Sequence, residues 1–295
     1  MKQAEILAKL KKDMELRGRT ADTIEEYMTK MRLYQEHYGK SADEMGIEEI
    51  QGYLHYLLTE KKRSASTVNT YNSAFRFLYG VTLDVTLNYK KLTRIPQTRR
   101  LPQLFTREEI GQIIDSAGNI CHRAMLMLAY GSGLRLSEIT GLKVTDIESG
   151  QKRILVRHGK GDRDRYALLP QTTLEVLREY WLSCNPRPRD WLFEAPKVGG
   201  RYHDRTLQDA FKAALRRSGV KKYGTIHTLR HCFSTHLYED GNSLLAMKKL
   251  MGHVRIDTTA WYTQLAASDV LKLKSPIENL PKKRGRKAKA VTANA

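Results

Sequence analysis

The sequence predicts a mainly α-helical protein of two domains, with a small β-hairpin in the second. Apolar residues recur at helical spacing through residues 1–90. A basic stretch with little periodicity follows at 91–104, and farther on two short strand-like runs flank a glycine-rich turn. The expected class is therefore α+β. An all-α helical bundle at 1–90 and a linker at 91–104 are followed by a larger domain at 105–280 and a basic tail at 281–295.

Four helices are predicted in the first domain, because apolar side chains recur there every three to four positions. The runs span residues 6–14, 24–38, 47–58 and 64–80. Glycines near the ends of several runs and hydroxyl residues before the second and fourth are helix stop and start signals. The expected product is a small helical bundle.

The second domain is predicted to begin with a capped helix. Thr106 and Glu109 have the spacing of a capping box, in which each side chain bonds the backbone N–H of the other residue. An apolar helix at 121–130 follows and stops at a Gly-Ser-Gly turn. Arg135 comes directly after this turn and stands at the start of the next helix.

A β-hairpin interrupts the helices of the second domain. Residues 153–157 and 165–169 are rich in strand-forming side chains and flank the turn Gly159-Lys160-Gly161. Helices are predicted again at 172–183 and 204–218, and the helix that carries the candidate site residues comes after them.

The charge of the chain indicates a polyanionic partner. The formal net charge is +19 and the isoelectric point is about 9.8. Nucleic acid is the commonest partner of so basic a protein. A membrane-surface protein would also be basic, but we find no basic amphipathic stretch with exposed aromatic residues. The sequence therefore predicts a nucleic-acid-binding protein.

The sequence predicts a cytoplasmic protein. No apolar run approaches the roughly 18 residues that a membrane span needs. Residues 1–20 lack the apolar middle of a signal peptide. The chain has three cysteines and no Cys-x-x-Cys motif, which fits a reducing compartment.

A set of basic and hydroxyl-bearing residues suggests a phosphate site with an oxygen nucleophile. The set is Arg135, Lys160, His227, Arg230, His253 and Tyr262. His227 and Arg230 are three positions apart, so they share one face of a helix. Two arginines can hold the oxygens of a phosphate and neutralise charge in the transition state. A phenol with a pKa of about 10 needs such a field or a nearby base to become a nucleophile. A lysine on a turn could protonate the leaving oxygen, so this set needs no metal or other cofactor.

Each residue of the set also has a simpler explanation. Arg135 could form an ordinary ion pair with Glu138, and Lys160 could be an exposed turn lysine. His231, Cys232 and His236 are better explained as packing residues than as ligands.

Two other kinds of site are disfavoured by the residues around them. His227 and His231 have the i, i+4 spacing of a zinc pair, but the glutamate of His-Glu-x-x-His is missing and no third ligand stands out. The turn around Lys160 lacks the further glycine and the Ser or Thr of a P-loop.

Five motifs in order carry a family resemblance. They are Gly133-Leu-Arg135-Leu-Ser-Glu138, Gly159-Lys160-Gly161, His227-Thr-Leu-Arg230-His231, Leu250-Met-Gly252-His253 and Tyr262. In this order and at these spacings the chain resembles the tyrosine recombinases, also called phage-type integrases. The resemblance covers nearly the whole chain, because the first domain is similar to the SAM-like core-binding domain of that family.

The resemblance implies a site-specific recombinase that acts on duplex DNA. Tyr262 would attack a phosphodiester, leaving a 3′-phosphotyrosyl bond and a free 5′-hydroxyl. The hydroxyl of a partner strand would then attack that bond, so strands are exchanged without a nucleotide cofactor. Integration, transposition, cassette movement and dimer resolution all use this chemistry.

The resemblance also implies a role for each site residue. Arg135 and Arg230 would form the phosphate clamp, and Lys160 would be the general acid. His227 would serve in proton transfer, and His253 would bond a non-bridging oxygen. Glu138 would support Arg135 from behind.

The family assembles on DNA in a way that defines the expected partners. Its two domains close around duplex DNA, and four protomers meet on two recombination sites. The segment Ser268–Leu280 would dock on a neighbouring protomer. Accessory DNA-bending proteins are a further class of partner that the resemblance allows.

Basic and polar residues outside the site are candidates for DNA contacts. Those of the first domain are expected on the exposed side of its fourth helix. The candidates are Lys61, Lys62, Arg63, Asn69, Asn72 and Arg76 at this helix, Arg99 and Arg100 in the linker, and Lys282, Lys283, Arg284, Arg286 and Lys287 in the tail. A solvated face is the simpler explanation for each charge alone. The tail is expected to be disordered when free and to add nonspecific affinity for DNA.

Two other functions stay open at this point. A type IB topoisomerase uses similar chemistry to relax supercoils, although the short chain and its domain layout favour a recombinase. A noncatalytic DNA-binding or architectural protein could keep the same scaffold, although the intact site residues argue against it.

Overall fold

The computed structural model divides the chain into two compact units, 1–100 and 101–295. It describes residues 3–97, 103–159, 163–195 and 200–251. The predicted α+β class is confirmed, because both units are mostly helical and the second contains a small sheet. Within the described residues, no helix combines the length and the apolar character needed to cross a bilayer.

The first unit has the four helices that the sequence predicts. They are α1 (Gln3–Leu16), α2 (Ala21–Tyr38), α3 (Ile47–Thr59) and α4 (Ala65–Phe77), with short helical turns at Ala42–Glu44, Leu78–Thr82 and Tyr89–Lys91. The side chains of Thr20 and Ser64 accept backbone N–H bonds at the starts of α2 and α4, so the start signals are the expected caps.

Aromatic side chains form the centre of the first unit. Tyr34 meets Phe75 and Tyr53 edge to face, with ring centroids 4.7 and 5.3 Å apart. The buried hydroxyl of Tyr79 donates to the carbonyl of Ala42 at 2.8 Å, so its polar end is satisfied inside the core.

The second unit surrounds a small antiparallel sheet with helices. Its elements are α5 (Arg107–Asp115), α6 (Ile120–Gly131), α7 (Leu136–Thr140), β1 (Ile147–Glu148), β2 (Arg153–Gly159), β3 (Arg163–Leu168), α8 (Gln171–Ser183), α9 (Asp204–Arg217), α10 (Ile226–Glu239) and α11 (Leu244–Met251), with helical turns at Val144–Asp146 and Ser149–Gln151. The strand order is β1-β2-β3, and Val156 pairs with Arg165. The two-residue strand β1 was not predicted, because it is too short to show a period.

The packing residues predicted around α10 lie in the core. Cys232 is fully buried and accepts the backbone N–H of Phe105. His236 is buried beside Tyr130, whose hydroxyl lies 3.0 Å from its Nδ1. These two residues are therefore packing groups, as expected.

Candidate active site

Gly133 shapes the turn that joins α6 to α7. Its φ is +62°, and a Cβ there would overlap the ring of Phe233. Neither the backbone conformation nor the space accepts a side chain. The carbonyl of Gly133 accepts a hydrogen bond from Nη1 of Arg230, so the turn is tied directly to α10.

Arg135 stands at the start of α7, as the sequence predicts. Its Nη1 donates to Oε1 of Glu138 at 2.7 Å, and its backbone N–H donates to Oε2 at 2.8 Å. The simple ion pair is therefore present. It is compatible with phosphate binding, because the Arg135 side chain is still 23% exposed while Glu138 is 7% exposed.

Arg230 is almost fully buried on α10. It is 1% exposed, and its Nη2 donates to the carbonyl of Met251 at 2.7 Å. Its Nη1 lies 3.7 Å from Oε2 of Glu138, besides its bond to Gly133. The guanidinium thus connects the turn before Arg135 with the end of α11.

His227 lies in the first turn of α10 and keeps an exposed surface, although protein atoms surround part of its side chain. Desolvation lowers the pKa of its imidazole from the ordinary value of 6.5, and the charges of Arg230 and Arg135 lower it further. The ring of His231 stands 4.6 Å from it, edge to face, and burial lowers the pKa of His231 to about 4. Both rings are therefore neutral at pH 7, and His227 can accept a proton.

Arg165 contacts the site through Glu138, a placement that the motifs did not predict. Its Nη1 and Nη2 donate to Oε1 and Oε2 of Glu138, both at 2.8 Å, and its Nε donates to the carbonyl of Leu250 at 3.0 Å. The alternation of side chains along β3 could have indicated that Arg165 faces the core. Arg165 shares a strand face with the buried Ala167, whereas Tyr166 and Leu168 are exposed.

Glu138 is a buried carboxylate among three guanidiniums. Burial alone would raise the pKa of its carboxyl, but the hydrogen bonds and charges of Arg165 and Arg135 outweigh burial and hold it at about 2. Arg230 approaches the same carboxylate. One negative charge thus faces three positive ones, and the excess positive charge suits a phosphate.

Three predicted site residues lie outside the described residues. Lys160 falls between the end of β2 and the start of β3, and His253 and Tyr262 follow the end of α11. Their roles stay predictions. The structure brings together Arg135, His227 and Arg230, with Glu138 behind them.

Within the described ranges, no group of three His, Cys, Asp or Glu side chains is placed to hold a metal ion. His227 and His231 are neighbours there, but a pair of imidazoles is not a closed site.

The basic residues between α3 and α4 are exposed, as expected for DNA contacts. Lys61, Lys62 and Arg63 follow the end of α3 and precede Ser64, the cap of α4. The ammonium of Lys61 also lies over the ring of Tyr56, 5.5 Å from its centroid. These cations are available to a phosphate backbone.

The polar residues farther along α4 hold the chain that follows the helices. Asn69 exchanges two hydrogen bonds with the backbone of Ile95, both at 2.9 Å. The Asn72 amide donates to the carbonyls of Leu92 and Thr93 at 3.2 and 3.1 Å. Arg76 donates to the carbonyl of Leu92 and, at 3.0 Å, to the side chain of Asn72.

This arrangement corrects one expectation. The expectation that Asn72 lies on the exposed side of α4 is wrong, since it is 2% exposed. A DNA contact does not fit that position, because the amide would have to leave two main-chain carbonyls. Leu92, in the segment predicted as a linker, is buried in the first core. The candidates Arg99, Arg100, Lys282, Lys283, Arg284, Arg286 and Lys287 lie outside the described residues.

Family models match both units. A model described as the phage integrase family matches residues 103–269. A second model, described as the SAM-like N-terminal domain of phage integrases, matches residues 6–88.

Individual relatives match along most of the chain. A putative integrase/recombinase y4qK of Sinorhizobium fredii is 35% identical over 277 residues, which are 93% of this chain and 89% of the relative. The tyrosine recombinase XerC of Lactobacillus delbrueckii subsp. bulgaricus is 30% identical over 250 residues, which are 80% of this chain and 84% of the relative. A solved structure of a lambda integrase tetramer bound to a Holliday junction covers 88% of this chain and 76% of that one, with a TM-score of 0.68. At 19% identity, this match shows a similar fold and nothing more specific.

Proposed function

The chain belongs to the phage integrase family and is a tyrosine recombinase, and we propose that it exchanges DNA strands through a 3′-phosphotyrosyl bond on Tyr262. The observation that carries this proposal is the convergence of Arg135 and Arg230 on the buried Glu138. A rigid pair of guanidiniums with excess positive charge suits a phosphodiester that gains negative charge in its transition state.

The reaction conserves the energy of the broken bond. The phenolic oxygen of Tyr262 attacks the phosphorus, and the 5′-oxygen leaves with a proton from Lys160. A 5′-hydroxyl from the other duplex then attacks the phosphotyrosyl bond and restores the tyrosine. His227, neutral at pH 7, can accept the phenolic proton. His253 bonds a non-bridging oxygen of the phosphate. Together with the two clamp arginines, it would compensate the negative charge of the transition state.

The proposed substrate is duplex DNA with paired recombination sites. Lys61, Lys62 and Arg63 supply exposed cations next to the start of α4 for backbone contacts. Residues 1–90 act as the core-binding domain and 105–280 as the catalytic domain, in line with the separate compact units. The protein would meet this substrate in the cytoplasm, at the nucleoid.

The proposed active assembly is a tetramer on two sites. The similarity to a lambda integrase tetramer on a Holliday junction supports it at the level of fold. The segment Ser268–Leu280 is proposed to dock on the neighbouring protomer. Accessory DNA-bending proteins would act on the DNA between sites and not within the chemistry.

The test of this proposal is a covalent adduct mapped to one atom. Wild-type protein is incubated with labelled duplexes that carry a nick near the cleavage point, so that the short 5′-hydroxyl strand diffuses away. We expect an adduct on a denaturing gel, and mass spectrometry after protease treatment should place a 3′-phosphate on Tyr262. An adduct at another residue would refute the assigned nucleophile. Tight binding without any adduct would favour the noncatalytic alternative, and sequence-independent supercoil relaxation would favour the topoisomerase alternative.

Removing the tail at 281–295 is expected to weaken DNA binding and lower its salt dependence while cleavage by bound protein is unchanged. The tail carries six cations and no anion. Each phosphate contact that is lost should reduce the slope of log K against log salt by about 0.9. Titrations at several salt concentrations measure the slope. A full-length variant with the six cations changed to glutamine is the matched control and should behave like the truncation. Equal slopes for all three proteins would contradict the prediction.

A further inference from the structure

We propose that Arg165 is a positioning residue that fixes the phosphate clamp of this recombinase. The inference concerns the proposed site and therefore rests on the proposed function. The guanidinium nitrogens of Arg165 donate to both oxygens of Glu138 and to the carbonyl of Leu250, so its role is assigned through these protein groups.

The first step of the argument is the fork between Arg165 and Glu138. Both terminal nitrogens of Arg165 bond both oxygens of Glu138 at 2.8 Å. A bidentate pair of this kind fixes the plane of the carboxylate as well as its position. Glu138 in turn bonds the side chain and the backbone N–H of Arg135. The direction of Arg135 is therefore set by Arg165 through Glu138.

The second step is the bond from Arg165 to the end of α11. Its Nε donates to the carbonyl of Leu250 at 3.0 Å. The next carbonyl, of Met251, accepts from Arg230 at 2.7 Å. Arg165 of β3 and Arg230 of α10 therefore both donate hydrogen bonds to the C-terminal end of α11, two residues before His253 in the sequence.

The third step is charge. Without Arg165, both oxygens of Glu138 would turn to Arg135 and Arg230, the two remaining cations near it. Each clamp arginine would then be drawn toward the carboxylate and away from a phosphate oxygen. Because Arg165 already donates hydrogen bonds to both oxygens of Glu138, the positive charge of the clamp arginines remains available to the phosphate of the substrate.

The consequence is a specific kind of defect in Arg165→Lys. A lysine keeps the charge but offers a compact ammonium in place of a planar fork, so it cannot serve both oxygens and the Leu250 carbonyl in the same geometry. Cleavage of an ordinary phosphodiester is expected to fall about 10- to 100-fold, the order of magnitude by which activity falls when a hydrogen-bonded partner of a metal ligand is lost. The clamp neutralises negative charge, so the defect should shrink on a methylphosphonate substrate, which lacks one charged oxygen.

The experiment compares single-turnover cleavage of these two substrates and of a 5′-phosphorothiolate by wild type, Arg165→Lys and Arg165→Met. Arg153→Met is the matched control, because Arg153 lies on the neighbouring strand and pairs with Glu148 at 2.6 Å. Tryptophan emission and thermal unfolding identify any variant that is not folded. The expected result is a folded Arg165→Lys with a large loss on the phosphodiester, a small loss on the methylphosphonate, and wild-type rates for Arg153→Met.

Three results would overturn the assignment. One is wild-type cleavage by Arg165→Lys, and another is an equal loss on both substrates. The third is full recovery on a 5′-phosphorothiolate, whose leaving sulfur needs no proton, because that would place the defect at the general acid. If wild type itself forms no adduct, the proposed function fails and this inference fails with it.

Discussion

Tyr262→Phe is expected to abolish the covalent adduct and strand exchange while leaving DNA affinity within a few fold of wild type. Removing a nucleophile that acts with a base and an electrostatic clamp typically costs at least about 10⁴-fold in rate. Phenylalanine keeps the ring and loses only the hydroxyl that would bond to phosphorus. Binding should persist, because phosphate contacts and not the nucleophile supply most of the affinity. Single-turnover cleavage of nicked duplexes and a gel-shift titration measure the two quantities.

The matched control for this prediction is Tyr223→Phe. Tyr223 is 82% exposed, and no role in the site is assigned to it. The substitution Tyr223→Phe removes one phenolic hydroxyl from the same unit, and this variant should retain the wild-type rate of cleavage. An adduct that survives in Tyr262→Phe would move the nucleophile to another residue.

Glu138→Gln is expected to destabilise the second unit by about 3–5 kcal/mol, the range for breaking a buried ion pair. The variant leaves Arg135, Arg165 and Arg230 without the carboxylate that they share. The amide also cannot accept at both ends, so one of its groups points a donor at a guanidinium. Cleavage should fall as well, because the clamp arginines lose their support. All three tryptophans of the chain lie within 101–295, so their emission in a denaturant titration reports on this unit.

The stabilisation that Glu138 provides is expected to depend on pH. The pKa of Glu138 is lowered from 4.5 to about 2 in the folded protein. A lowered pKa stabilises the fold above the unfolded value, and the contribution is lost as the pH falls through the folded value. The difference in unfolding free energy between wild type and Glu138→Gln should therefore be full above pH 4.5 and should shrink toward pH 2. It should shrink by about 3 kcal/mol, at 1.36 kcal/mol per pKa unit.

Glu148→Gln is the control for Glu138→Gln. Glu148 pairs with Arg153 near the surface, with 28% of its side chain exposed. An exposed pair of this kind contributes about 0–1 kcal/mol, so its loss should have a small effect. Equal destabilisation by the two variants, or a difference for Glu138→Gln that does not change between pH 4.5 and 2, would contradict the role given to Glu138.

The sequence was sufficient for most of the helices and for the chain order of the site, although it did not predict α11 as a helix. Apolar spacing and caps such as Thr20, Ser64 and Thr106 located the helices within a few residues of their observed bounds. These signals are local, because a helix bonds residues three or four positions apart and a cap satisfies the first N–H groups of the same helix. The placement of Arg135 at a helix start and the shared face of His227 and Arg230 follow from the same local geometry.

Only the tertiary structure decided which polar side chains are buried and what they hold. The partners of Glu138 are Arg165, 27 positions away, and Arg230, still farther along the chain. Asn72 is buried because the chain returns to it about 20 positions later, at Leu92 and Thr93. Periodicity assigns a residue to a face of its own helix or strand, but not the element that will cover that face. The covering elements come from distant parts of the chain. When they pack over a polar side chain, they exclude water from it and give it hydrogen-bond partners.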